Sequence, residues 1–356
     1  VRELSHVAGL FDELVHVAPV EEGDLEVSME AYGAGNVRVA GVKPSGGDGI
    51  AEKAGVVAAW REYGKVIWRE VALADAVHVR LPCNIGLLAL LVLCIKRTPR
   101  RRWFKYAGNW KPAGPEPWSY RLQRWILRCG WAGGVVTVNG EWEGEPPHVR
   151  PFLNPSLTEE DLERGRAAAE EKRLEAPLRL VFAGRVEEAK GAGRAVELVR
   201  RLREAGIECE LDVAGDGPLR SVLEERVRRD GLDGVVRLHG WLGREEIREL
   251  YKTAHFCVLL SECSEGWPKV LSEAMAYGAV PVASETGGIA SMLQKFGCGV
   301  TVAARDVEAA ARAIAAYAGD PGKWRAESER GVMAAEGFTY EAHVRRVAEI
   351  LGVGRE

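Results

Sequence analysis

Six short apolar runs recur through the second half of the chain, at 178–183, 210–214, 235–238, 256–260, 279–283 and 299–302. Continuous apolar runs of this length fit strands covered on both faces. The stretches between them include 193–205, 219–230, 244–254 and 268–277, all of helical length. The first carries apolar residues at 195, 196, 198, 199 and 202, the spacing of one helix face. Strand–helix alternation of this kind yields a parallel sheet with helices on both sides. The first half repeats the rhythm less cleanly. Its strands are expected at 14–17, 37–40, 76–79, 103–106 and 135–138, and its helices at 50–62, 84–95 and 119–128. A Pro-containing stretch, 146–155, leads into a charged helix over 158–172. The expected organisation is an α/β chain with one Rossmann-like, doubly wound domain over 1–155 and a second over 156–335. A final segment, 336–356, carries a helix that aligns Val344, Val347, Ala348 and Leu351. Two such sheets present their strand carboxyl ends to a central cleft, where ligands bind.

Composition removes several function classes. The net charge of -4 gives no support to nucleic-acid binding, which calls for a concentrated basic face. The seven cysteines are scattered, odd in number and never form Cys-x-x-Cys, as expected of buried thiols in a reducing compartment. The seven histidines include no His-Glu-x-x-His, so no metal site is expected. Gly33-Ala34-Gly35 and Gly215-Asp216-Gly217 begin like a dinucleotide fingerprint, but Arg38 and Arg220 stand where its third Gly belongs. There is no phosphate-loop motif of the Gly-x4-Gly-Lys type and no Asp-x-Asp. The longest apolar run, 85–95, is shorter than the roughly 20 residues a membrane span needs. The basic stretch 96–105 follows it, with Lys96, Arg97, Arg100, Arg101, Arg102 and Lys105. Its plain reading is a solvated exit from a buried helix; its functional reading is contact with anionic lipid or a phosphorylated acceptor. The expected location is cytoplasmic, peripheral at the inner membrane face, since no signal peptide is visible.

Chemistry concentrates in the segment 261–278, which follows an apolar run and opens a helix. Pro268 suits a first helical turn, where its missing N–H costs nothing. Glu265 and Gly266 then sit in a strand-to-helix loop, beside free amides and the positive end of the helix dipole, an arrangement that attracts phosphate. Glu273 falls about one and a half turns into the helix. Two Glu residues eight apart are ordinarily surface charge; the Ser/Gly/Pro loop and the preceding strand make this pair more informative. A second group, Gly184, Arg185 and Lys190, lies at the end of the first strand of the second half. Two cations there can stabilise charge developing on a departing diphosphate.

In order and spacing, Gly184-Arg185…Lys190-Gly191, Ala214-Gly215-Asp216-Gly217-Pro218, His239-Gly240, Glu265-x7-Glu273 and Gly278-Ala279-Val280-Pro281…Gly287-Gly288 resemble the donor-binding domain of the family 4 glycosyltransferases. The resemblance covers about 178–352. It implies the GT-B fold, a nucleotide-diphosphate-sugar donor with a UDP or GDP base, no metal or other cofactor, retention at the anomeric carbon and a C-terminal helix returning to the first domain. It implies that Arg185 and Lys190 hold the donor diphosphate, that Glu265 faces the transferred sugar and that Glu273 meets the ribose. Trp241 and Leu242 would line the base pocket, and Gly266, Trp267, Pro268, Lys269 and Val270 would lie against phosphate or sugar, Lys269 and Val270 through their backbone amides. The acceptor would be a glycan, a lipid-linked molecule or a small molecule, as in polysaccharide biosynthesis.

The chain also departs from that family. Ser291 stands where a Glu usually follows the Gly-Gly pair. The turn expected to carry a His reads Lys105-Tyr106-Ala107-Gly108-Asn109-Trp110, with Asn109 the nearest polar substitute. Arg80 and Asn84 follow an earlier strand and could face donor or acceptor, and Trp110 and Trp118, in a Gly/Pro/Asn loop, could stack on an acceptor sugar. Residues 2–13 read as a helix, so the strand that precedes it in this fold is expected upstream of the sequence. Two rivals remain open: a nucleotide-sugar epimerase or phosphorylase of the same fold, and a non-catalytic sugar-binding subunit.

Overall fold

The computed structural model describes residues 1–21, 31–44, 50–112, 114, 116–263 and 266–354, and of 50–58 the backbone alone. The chain divides into two compact units, Val1–Phe152 with His343–Glu356, and Leu153–Ala342.

The first unit opens with α1 (Arg2–Ala8), β1 (Leu14–Pro19), β2 (Val37–Val42) and α2 (Ile50–Leu73). It continues with β3 (Ala76–Leu81), α3 (Asn84–Ile95), β4 (Arg101–Tyr106), α4 (Trp118–Cys129), β5 (Val135–Val138) and β6 (Val149–Pro151). β1 and β2 form a parallel pair, β3-β4-β5-β6 a parallel sheet, and among the described residues no strand joins β1 to β3. Side chains on β4 alternate as the pleat requires. Phe104 and Tyr106 pack with Leu90, Leu93, Ile126 and Leu127, while Trp103 turns to Val7, Phe152, Val347 and Leu351. Lys105 is buried on the same side as Trp103, its Nζ 2.6 Å from Glu3, and His343 Nε2 lies 3.3 Å from that same carboxylate oxygen. Burial alone would raise the Glu3 carboxyl, but the His343 hydrogen bond and the Lys105 charge hold it well below the usual carboxylate range.

The second unit carries α5 (Glu159–Glu171), β7 (Leu178–Ala183), α6 (Ala192–Glu204), β8 (Cys209–Ala214), α7 (Arg220–Arg229), β9 (Val236–Gly240) and α8 (Arg244–Thr253). There follow β10 (Phe256–Leu259), α9 (Lys269–Ala276), β11 (Val280–Ser284), α10 (Ile289–Phe296), β12 (Val300–Val302), α11 (Val307–Ala318), α12 (Pro321–Ala335) and α13 (Tyr340–Leu351). A reciprocal bond pair, Thr158 with Asp161, caps the start of α5. The six strands form one parallel sheet in the order β12-β11-β10-β7-β8-β9. Every residue of β10 and β11 is buried, as their apolar runs foretell. α13 leaves the second unit and belongs to the first from His343 onward. Among the described residues, no helix is long and apolar enough to cross a membrane.

Candidate functional site

The strand order of the second unit selects one place for a ligand. β7 lies at the centre; its chain leaves through α6 to β8 on one side, whereas β10 leaves through α9 to β11 on the other. Diverging connections open a crevice beyond the carboxyl ends of those two strands. The segments that follow them are 184–190 and, among the described residues, 260–263 and 266–268.

These loops are tied to each other. Glu262 N donates to Ala189 O at 2.8 Å, and Ser261 Oγ donates to the same oxygen at 3.2 Å. From β11, buried Ser284 donates its hydroxyl to Ser261 O at 2.5 Å. Arg194 on α6 joins both loops: Nε donates to Leu260 O and Nη2 to Glu188 O, each at 2.8 Å. Its Nη1 reaches the Glu188 and Glu262 carboxylates at 3.0 and 3.5 Å. Glycine is required at two points. Gly191, at φ 85°, passes so close to Leu260 that a Cβ would lie 2.2 Å from its carbonyl oxygen, and at Gly215 a Cβ would lie 1.9 Å from Gly184 O.

Within this frame Arg185 is exposed, its Nε 3.2 Å from Glu187. Lys190 is half-buried, closing a short 3-10 turn over Glu188–Lys190. Gly184 N donates to Ala214 O at 2.9 Å, fixing where the β7 loop departs. Glu265 lies outside the described residues. Gly266 is half-buried, Pro268 is the N-cap residue of α9, and Lys269 and Val270 are the helix's first two residues. The leading amides of a helix have no partner within it, so this terminus offers donors.

Glu273 is half-buried on α9 and accepts a hydrogen bond from the Tyr251 hydroxyl at 3.4 Å. Burial pushes its carboxyl up to about 7, against the opposing pull of Lys269 and of the Tyr251 bond. At the end of β9, Gly215 N donates to Gly240 O at 2.7 Å, and beyond it Trp241 is exposed while Leu242 packs against the core.

Two tryptophans call for correction. The Trp267 side chain is buried, stacked on Phe338 with ring centroids 5.4 Å apart and edge-on to Phe296, which removes its ring from ligand contact. Trp110 is 4% exposed and meets Tyr106 edge-on in the first unit's core, which removes its ring from any sugar contact. Arg80 and Asn84 are exposed. Arg80 is on β3 beside the carboxyl end of the four-stranded sheet, and Asn109 Oδ1, in the loop after β4, accepts from Lys111 N at 3.1 Å. Arg194 and Tyr251 were not singled out from the sequence. Arg194 could have been: it stands three residues beyond Gly191, on the first turn of the helix that the glycine opens.

A family model described as "Glycosyl transferases group 1" matches residues 164–331. The chain is 30% identical over 307 residues to the glycosyltransferase EpsF of Bacillus subtilis (strain 168), spanning 79% of this chain and 76% of that protein. Among solved structures, sucrose-phosphate synthase from Thermosynechococcus elongatus superposes with a TM-score of 0.68 at 17% identity, covering 97% of this chain and 90% of the other. HepE of Anabaena, solved in complex with UDP and glucose, superposes with a TM-score of 0.67 at 15% identity, covering 98% and 95%. These likenesses show the fold, GT-B.

Proposed function

Because the chain belongs to the group 1 glycosyl transferases, we propose that it moves a sugar from a nucleoside diphosphate sugar to a hydroxyl of a glycan, lipid-linked or small-molecule acceptor, with retention of anomeric configuration. The observation that carries this reading is the pinned pair of loops at the strand-order switch, with Arg185 and Lys190 on one and the amino end of α9 on the other. In this reading the diphosphate lies against the two cations and the Lys269 and Val270 amides. Glu273 meets the ribose, Trp241 and Leu242 flank the base, and Glu265 faces the transferred sugar. HepE, whose structure holds UDP and glucose, makes a UDP-sugar the first donor to try.

The chemistry then needs little beyond placement and charge. The bond from the anomeric carbon to the phosphate oxygen breaks, and a bond from that carbon to the acceptor oxygen forms on the same face. The acceptor's proton passes to the departing phosphate. Arg185 and Lys190 stabilise the negative charge that grows on it, so the reaction proceeds without a metal ion. The epimerase, phosphorylase and non-catalytic readings have no observation in their favour.

UDP-, GDP- and ADP-sugars should separate by thermal shift, one of them raising the melting temperature at millimolar concentration. Lys190→Ala should lower kcat about 100-fold or more, with activity in the native chain surviving a chelator and NMR showing the donor's anomeric configuration in the product. Absence of any shift with all three nucleotides would sink the donor reading.

A further inference from the structure

Between Asp75 and Glu141 the chain holds eleven Lys and Arg residues and a single carboxylate, Glu116, within a protein of net charge -4. The fold sorts these cations. Strands in a parallel unit share one direction and the connecting helices run back, so helix carboxyl ends and strand amino ends gather on one edge. In the first unit that edge carries the ends of α2, α3 and α4 and the starts of β3, β4 and β5. It is the edge opposite Arg80.

Arg102 knits this edge together. Its guanidinium is buried and, among the described residues, donates only to backbone carbonyls: Pro99 O at 2.6 Å, Leu93 O and Lys96 O at 2.7 Å, and Ala132 O. Of the basic stretch 96–105, Arg102 and Lys105 are buried, so the solvated exit expected from the sequence holds only for part of it. The same bonds bring the end of α3 beside the turn after α4. On one side Lys96 lies over the exposed Trp68 ring at 4.5 Å. On the other, exposed Trp131 and Trp125 pair edge-to-face with centroids 4.7 Å apart. Ile95 is 71% exposed, and among the described residues no carboxylate pairs with Lys96, Arg97, Arg100 or Arg101.

Cations after a helix end are explained by the helix dipole alone. Three exposed tryptophans and an exposed isoleucine among them are not. Amphipathic rings beside unpaired cations are what a bilayer interface selects: the rings settle at headgroup depth and the cations meet anionic lipid. A second copy of this chain is a poor fit, since a symmetric contact would set these cations against their own kind.

We propose that this edge of the first unit docks on an anionic lipid bilayer. The proposal does not rest on the donor reading, because its test reads binding alone. The full chain is sedimented with vesicles of phosphatidylcholine, or of equal parts phosphatidylcholine and phosphatidylglycerol. It should bind the mixed vesicles, not the neutral ones, and lose binding as salt rises. Brominated acyl chains should quench its tryptophan fluorescence. Arg97→Ala with Arg100→Ala should weaken vesicle binding about 30-fold without changing the melting temperature, since both side chains are exposed; Trp131→Ala should weaken it and reduce the quenching. Equal binding to both vesicle types, no binding to either, or an unchanged affinity in the double variant would overturn the proposal. Tighter binding to a DNA duplex than to mixed vesicles would overturn the lipid assignment, as would a dimer in sedimentation that Trp131→Ala dissociates.

Discussion

The two units use the same architecture but commit their functional edges differently. In the second unit, backbone meets backbone: Gly191 against Leu260, Gly215 against Gly184, and Glu262 N on Ala189 O at 2.8 Å. The first two approaches admit only glycine, so that part of the site's geometry is written in the sequence. The equivalent edge of the first unit is known only by side-chain type, through Arg80, Asn84 and Asn109, and types alone mislead. Trp110 shows this, since a Gly/Pro/Asn neighbourhood made it look available and it is core. A site built from backbone is legible without relatives; a site built from side chains needs the fold first.

That contrast can be broken most directly at the two tryptophans. Trp267→Ala and Trp110→Ala should each cost about 3–5 kcal/mol in urea unfolding, with no selective effect on acceptor KM. A Trp110→Ala chain of native stability and raised acceptor KM would return that ring to the site. Next in size is a pair of arginines, one per unit. Arg185→Ala should lower kcat about 100-fold, whereas Arg80→Ala should change acceptor KM by less than about 10-fold, one contact being worth roughly 1 kcal/mol. Similar losses in kcat for both would erase the difference between the units.

The smallest effect is at Glu273. Its carboxyl is raised from 4.5 to about 7, so folding favours the protonated form; that contribution is complete below pH 4.5 and is lost as pH rises through about 7. Glu273→Gln, which cannot ionise, should melt with the native chain below about pH 4.5, rise progressively above it between pH 4.5 and about 7, and keep a constant lead beyond. Ribose hydroxyls would donate to the carboxylate, so donor binding by the native chain should weaken as pH falls below about 7. A melting difference that is flat across this range would place Glu273 in water rather than against Tyr251.

Most of the second unit's sheet was legible, because strands covered on both faces must be continuously apolar, and β7, β10 and β11 are. β6 was not: three residues ending in Pro151, just after Pro146 and Pro147, read as a linker until Val136–Val138 supply the partner strand. α2 was cut short at 62, although the helix runs to Leu73. The basic stretch hid its own division of labour. Arg102 differs from Arg101 only in which side of β4 it falls on, and that side is fixed by strand register rather than by composition. At the candidate site, charge beside a strand-end glycine singled out Arg185 and Lys190, but Tyr251 comes to Glu273 from α8, a contact only the packed unit creates.

α13 sets the order in which the protein can finish folding. Val347 and Leu351 fill the first unit's core beside Val7 and Trp103, and His343 reaches the Glu3 carboxylate buried there. Ribosomes make these residues only after all of the second unit has been synthesised. The unit that emerges first therefore stays open, with Glu3 and Lys105 awaiting their third partner, until the second has been completed.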